Sequence, residues 1–306
     1  MEDNKKNVTT KDIINEYKKI KSGGVTPNPK VEKEGDNIPK EIPKMSKGDD
    51  VYKNTISQET DVDLMVSYET ITLPSKGLFY KNKLKQLDVE YMTSKDEDLL
   101  TTPSLIESGT VINKLLKRKI KTPNVIIDDL LPGDKSAVIL FLRTSSYGPE
   151  YTVEVQDPRT GKYFKEKVNL LKLKQKELTE LPDENGHFSV ELPMRKKIVK
   201  FRLLTSGEEE QIKKTADTLM EEYNEEYAEY STLRVKSSIV SIDGKTDRNY
   251  INKFVDAMPA YDALTIKKKI NEVSPEFDMK YTFTAKDGHK FDAYLMVGAD
   301  FFFPND

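Results

Sequence analysis

The sequence predicts an α+β fold, a small antiparallel sheet with helices before and after it in the chain. Three observations carry this prediction. Short apolar or alternating runs bounded by turn residues recur at Thr70–Leu73, Tyr151–Val155, Lys162–Val168, Phe188–Leu192 and Ile198–Leu204. Helical periodicity appears on one side of most of them, with Leu105, Ile106, Ile112, Leu115 and Leu116 on one face. It reappears on the other side from Ser206 onward, so strands and helices are segregated rather than mixed.

The first 66 residues read as a disordered tail. From Lys21 to Asp50 the chain is mostly Lys, Glu, Gly, Pro and Asn, too apolar-poor to offset the entropy of ordering. Near residues 10–21, Thr10 can cap a short amphipathic helix with Ile13, Ile14, Tyr17 and Ile20 on one face. Two readings stay open for it: a transient solvated helix, or a docking peptide on a tether.

The folded region is expected at 67–306, with a division into 67–205 and 206–306 as one option. Thr70–Leu73 forms a strand and Pro74–Gly77 a turn, since Pro fixes one backbone angle and Gly supplies a positive one. Leu84–Met92 is the partner strand. Asp96–Asp98 open a helical turn at the end its dipole favours, and helix continues to about Ile120, with Gly109 as the point where it can break. Asp134 is read as the cap of a buried helix through Ala137–Leu142.

Asp157-Pro158-Arg159-Thr160-Gly161 turns a hairpin between Tyr151–Val155 and Lys162–Val168. Phe188–Leu192 and Ile198–Leu204 add two strands to the same sheet. Ser206-Gly207-Glu208-Glu209 reads as a capping box opening a long helix whose Tyr223, Tyr227 and Tyr230 share one side. That stripe either packs on neighbouring elements or binds a partner. The helical pattern continues through Leu233, Val235 and Ile239. A further helix runs past Ile251, Phe254 and Met258, breaks at Pro259, and resumes to Ile270. Met279–Phe283 and Phe291–Met296 close the chain as a hairpin around Asp287-Gly288.

Composition narrows the function classes. The 306 residues carry 49 basic and 52 acidic side chains, a net charge of −3 that gathers neither nucleic acid nor an anionic membrane. The basic run Lys114–Lys121 sits within a helical pattern and reads as a solvated face. Mean hydropathy of −0.65 is low enough to require either an unfolded part or a heavily charged surface. With no cysteine, disulfides, thiolate nucleophiles and Cys-based zinc sites are excluded. No signal-peptide pattern and no apolar run of about 18 residues is present, so a soluble, intracellularly made chain is expected.

Chemistry-bearing motifs are sparse. His187 and His289 are the two histidines, each next to Gly in a loop and about a hundred positions apart. No Gly-x-Ser-x-Gly elbow, dinucleotide turn or phosphate loop appears. The expectation is a protein without catalytic residues, metal or cofactor.

Three segments stand apart: Leu73-Pro74-Ser75-Lys76-Gly77-Leu78-Phe79-Tyr80, Arg143-Thr144-Ser145-Ser146-Tyr147-Gly148, and Asp300-Phe301-Phe302-Phe303-Pro304. In this order, with Leu204-Thr205-Ser206-Gly207 and Met258-Pro259 between the last two, residues 69–306 resemble the baseplate hub and hub-assembly proteins of T-even-type, contractile-tailed bacteriophages. The carriers of the resemblance are Leu73, Pro74, Ser75, Gly77, Tyr80, Arg143, Ser146, Tyr147 and Gly148. Relatives in that family often have Cys-x-x-Cys in the last hairpin, where this chain has Thr284 and Asp287, so a metal site there is not expected.

The resemblance implies partners among other phage baseplate and hub proteins. It implies residence in the host cytoplasm during assembly or in the virion baseplate, with no nucleic acid or membrane involved. Phe301, Phe302 and Phe303 then either close the chain's own core or insert into a partner. A different class of reading is a non-catalytic adaptor whose N-terminal helix recruits a partner.

Overall fold

The computed structural model describes residues 67–222, 229–285, 287–295 and 300–303. The helix expected near 10–21 with Ile13, Ile14, Tyr17 and Ile20, and the side chains of Tyr223 and Tyr227, lie outside the described residues. The described chain is α+β, as expected, but its strands form several small antiparallel sheets instead of one.

Strands β1 (Tyr68–Thr72) and β2 (Gln86–Glu90) pair antiparallel, Tyr68 opposite Glu90. Between them Lys76 and Gly77 turn through φ values of 53° and 73°. Gly77 is needed there twice over: its φ suits Gly, and a Cβ would sit 2.7 Å from the Lys83 carbonyl oxygen. Helix α1 (Ser94–Leu100) starts at a capping box formed by Thr93 and Asp96. Helices α2 (Pro103–Glu107) and α3 (Val111–Lys119) are separated at Gly109, the break expected from the sequence.

Helix α4 (Pro132–Tyr147) is the spine of this half. Pro132 stands at its first turn, where a missing amide hydrogen costs nothing. Asp134 does not cap it: the cap position is Leu131, and Asp134 lies inside the first turn. Its buried stretch includes Ala137, Val138, Ile139, Leu140 and Leu142. Strands β3 (Glu150–Gln156) and β4 (Tyr163–Asn169) follow as the expected hairpin, Tyr151 facing Val168 across the pair.

Strands β5 (His187–Glu191) and β6 (Ile198–Arg202) do not join that hairpin. They pair with each other and with β7 (Ile239–Ile242), in the order β5-β6-β7. The sequence places Ile239 on a continuing helix. The β-branched residues of Ile239-Val240-Ser241-Ile242 instead leave the helix for the sheet edge. Helix α5 (Ser206–Glu222) packs against α6 (Tyr230–Ser238), and α6, α7 (Arg248–Asp256) and α8 (Ala260–Val273) share a core with this sheet. Strands β8 (Lys280–Thr284) and β9 (Lys290–Tyr294) make the last hairpin, followed by a 3-10 turn at Asp300–Phe302.

Two hydrophobic cores result. The first unites Leu73, Leu87, Leu116, Val138, Leu142 and Val168 with Phe283, Phe301 and Phe302 from the far end of the chain. The second contains Phe188, Val199, Phe201, Val235, Ile251, Ile266 and Val273. Both cross the 205/206 boundary that the sequence suggests, because β5 and β6 pack with α6–α8 while the last hairpin returns to the first core.

The cores meet at the start of α4. Leu131 belongs to the second core and Leu130 to the first, and the Ser206 amide donates to the Leu130 carbonyl at 2.7 Å. Gly133 rests on the backbone that follows α8. A Cβ there would lie 1.8 Å from the Pro275 carbonyl oxygen, with no flexible side chain to give way. Gly133→Ala is therefore expected to destabilise the protein by about 1–3 kcal/mol through overpacking, read as a lowered urea midpoint. An unchanged midpoint would show that the helix start can move aside.

Candidate functional site

The segments singled out by the sequence become junctions of the first core. In the first, the Ser75 amide donates to Asp134 Oδ1 at 2.9 Å and the Tyr80 hydroxyl donates to Asp134 Oδ2 at 2.5 Å. The same hydroxyl accepts from the Leu131 amide at 2.9 Å. The 73–80 turn is thereby fastened to the N-terminus of α4, where a carboxylate also meets the favourable end of the helix dipole. Leu73, Pro74, Ser75 and Gly77 are buried and Tyr80 is half-buried. Burial pushes the Asp134 carboxyl above the usual carboxylate range, although the Ser75 and Tyr80 donors pull against it. Burial, then the charge of Asp134, drives the Tyr80 hydroxyl well above the ordinary phenol range.

The second junction is at the other end of α4. Arg143 is 1% exposed. Its Nε donates to the Phe301 carbonyl at 2.9 Å, Nη1 to Gly148 at 2.9 Å and Nη2 to Glu150 at 3.0 Å. The guanidinium carbon also lies 5.5 Å from the Tyr147 ring centre and 5.8 Å from that of Tyr151. Three carbonyl dipoles and two ring faces thus solvate a buried cation without a carboxylate. Gly148, at φ 79°, makes the reversal that brings its own carbonyl and that of Glu150 to the same fork. Ser146 is exposed and takes no part in this junction.

The third segment closes the same core. Phe301 and Phe302 are fully buried, and Phe303 packs against them half-buried. Phe301 meets Tyr151 edge-on at 5.0 Å and Phe302 at 5.9 Å. Of the two readings left open for the triplet, burial in the chain's own core accounts for Phe301 and Phe302.

A charged network that sequence reasoning missed supports α1 and α3. Lys119 is 1% exposed and its Nζ lies 2.6 Å from Asp96 Oδ2 and 3.1 Å from Glu90 Oε2. Arg118 reaches Asp96 Oδ1 at 3.1 Å and Lys121 reaches Glu90 at 3.2 Å. The basic run expected as a solvated face therefore spends three of its cations on internal carboxylates. Burial raises the Asp96 carboxyl, but Lys119 and the Thr93 amide and hydroxyl more than offset it, leaving Asp96 below its ordinary range. A signal was available: Lys119 lies four residues after Leu115, on the apolar face. Tyr147 links this network to α4 by donating to Glu97 at 2.6 Å.

Elsewhere the expected residues have local roles. The capping box of α5 sits one residue earlier than predicted. The Glu208 amide donates to Thr205 Oγ1 at 3.3 Å, and the Thr205 amide donates to Glu208 Oε2 at 2.9 Å. Glu209 is thereby freed to accept from Arg234 at 2.6 Å and from the Tyr230 hydroxyl at 2.8 Å. Burial and then Glu209 push the Tyr230 hydroxyl up to about 12.

His187 opens β5 in the second core, whereas His289 stacks near Phe291 of the first, at 5.8 Å between ring centres. His289 sits between Asp157, 3.1 Å from Nε2, and Asp287, 2.6 Å from Nδ1, where it joins the tips of two hairpins. Among the described residues no group of three His, Asp or Glu side chains is arranged to hold a metal ion. Among the same residues no helix is long and apolar enough to cross a membrane.

One open groove, of about 530 Å³, lies at the outer end of the second core between Arg195, Lys197, Tyr250, Lys253, Phe254 and Ala257. The Arg195 guanidinium is 4.8 Å from the Phe254 ring centre, and the Lys245 ammonium is 4.9 Å from that of Tyr250. No local pattern announces this groove, since its walls come from two separated segments, one holding Arg195 and Lys197 and the other Tyr250, Lys253, Phe254 and Ala257.

No curated protein and no solved structure matches the chain. A family model described as T4 bacteriophage base plate protein matches residues 65–303. That span takes in all of the described residues and each of the three junctions. The chain belongs to the T4 bacteriophage base plate protein family.

Proposed function

We propose that this protein is a component or assembly factor of the baseplate hub, acting through contacts with other phage tail proteins and without catalysis. The observation that carries the reading is the family match over residues 65–303, which overlaps every segment that resembles hub proteins. The placement of those segments supports a non-catalytic role. Asp134 and Arg143, the charged residues most buried in them, are consumed in holding α4 and present no free reactive group to a pocket. Binding then falls to the remaining surface, where exposed aromatic and cationic side chains are the anchors such interfaces use.

Quantitative mass spectrometry of purified virions beside infected-cell lysate tests this. A fixed ratio to known tail proteins in virions is expected for a hub component. Presence in lysate but not in virions is expected for an assembly factor. Failure to co-purify with any tail protein in either sample would overturn the proposal.

A further inference from the structure

The groove on the second core has an apolar floor and a surplus of positive charge. Phe254 and Tyr250 supply the floor. Met194, the chain neighbour of Arg195, is itself 61% exposed. Among the described residues Arg195, Lys245 and Lys253 make no ion pair within 4.0 Å, while Lys197 is paired with Asp243 at 2.7 Å.

The nearby carboxylates are already engaged. Asp262 is buried and accepts the Met194 and Arg195 amides at 2.8 and 3.1 Å. Asp247 caps α7 through the Tyr250 amide at 2.7 Å, and Asp256 pairs with Lys236 at 2.5 Å. Arg195 and Lys253 therefore line the groove, and Lys245 stands over its Tyr250 ring, without an ion-pair partner among the described residues, on a chain whose net charge is −3.

We infer that this groove docks an acidic segment of a partner protein, with carboxylates on Arg195, Lys245 and Lys253 and an adjoining apolar side chain on the accessible part of Tyr250. The inference rests on the reading of the chain as a protein-binding baseplate component. Charge complementarity selects carboxylates, and the desolvated ring floor selects an adjoining apolar group. Three cations around a single pocket suit a short peptide segment better than a nucleic acid, which calls for a basic stripe along its backbone.

Zero-length carbodiimide coupling in lysate from phage-infected cells tests the contact, because it joins a lysine only to a touching carboxylate. Lys245 and Lys253 should couple to Asp or Glu side chains of another phage tail protein. Lys245→Glu with Lys253→Glu should reduce co-precipitation of that protein by about tenfold, and Lys114→Glu with Lys117→Glu should leave it within about twofold. If other lysines of the chain couple to tail proteins but Lys245 and Lys253 do not, the docking inference fails and the functional reading stands. If no lysine couples to a tail protein, both fail. Association abolished by nuclease would assign the groove to nucleic acid and overturn the inference.

Discussion

Replacing Arg143 by Met is expected to lower stability by about 3–5 kcal/mol, a large share of what holds a typical domain together, because three buried carbonyls lose their donor at once. The guanidinium is the shared donor for the carbonyls of Gly148, Glu150 and Phe301. Methionine fills similar volume but leaves those carbonyls without their donor, and a buried unsatisfied polar group costs about 1–3 kcal/mol. Arg143→Lys should recover only part of the loss, because one ammonium cannot reach three diverging acceptors as a planar fork does. Urea unfolding measures the loss, and amide exchange at Phe301–Phe303 should accelerate in both variants. A Met variant within about 1 kcal/mol of the parent would mean that the three carbonyls find other donors.

Lys119→Met should cost about 3 kcal/mol near neutral pH, for a different reason. It strands the Asp96 carboxylate, which is fully buried, with only Arg118 for a counter-charge. The direction of the pH dependence follows from Asp96. Its folded carboxyl lies below the ordinary Asp value of about 3.9, so its stabilisation is present above that value and is lost as pH falls through the depressed one. The gap between parent and variant should therefore be widest near neutrality and narrow below about pH 4. Lys119→Met combined with Asp96→Leu should regain much of the stability, since removing both charges removes the desolvation cost. A gap independent of pH would assign the loss to packing rather than to the ion pair.

Local signals made most elements legible. The β3–β4 hairpin is announced by Asp157-Pro158-Arg159-Thr160-Gly161, where Asp157 accepts from the Arg159 amide at 2.8 Å. The break at Gly109 and the stop at Pro259 are likewise written in residue type. The grouping of strands into sheets was not legible, because it depends on which buried faces meet. Nothing within Ile239–Ile242 states that its partner is β6, and the neighbouring helical period conceals the strand. The junctions were half legible: Asp134 and Arg143 were visible as residues, but the Asp134 donors lie 54 and 59 positions away and the Phe301 acceptor of Arg143 lies 158 away. The sequence context of Asp134 displays only a local role, that of a helix cap, and hides its bonds to Ser75 and Tyr80. The groove was invisible for the same reason, since Arg195 and Phe254 become neighbours only after α7 packs on the β5–β6 turn.

The way the two cores share the chain also fixes an order in time. The second core is built from segments between Leu131 and Val273, nearly all of them contiguous. The first core needs Phe283, Leu295, Phe301 and Phe302, which a ribosome releases afterwards. During synthesis β5–β7 and their helices can close while Leu73, Leu116, Val138 and Val168 still wait for the residues that cover them. Long-range pairing of this kind is slow, and the half-built intermediate leaves its apolar surface open to wrong partners. Arg143, which reaches Phe301, is thus the last bolt to be driven.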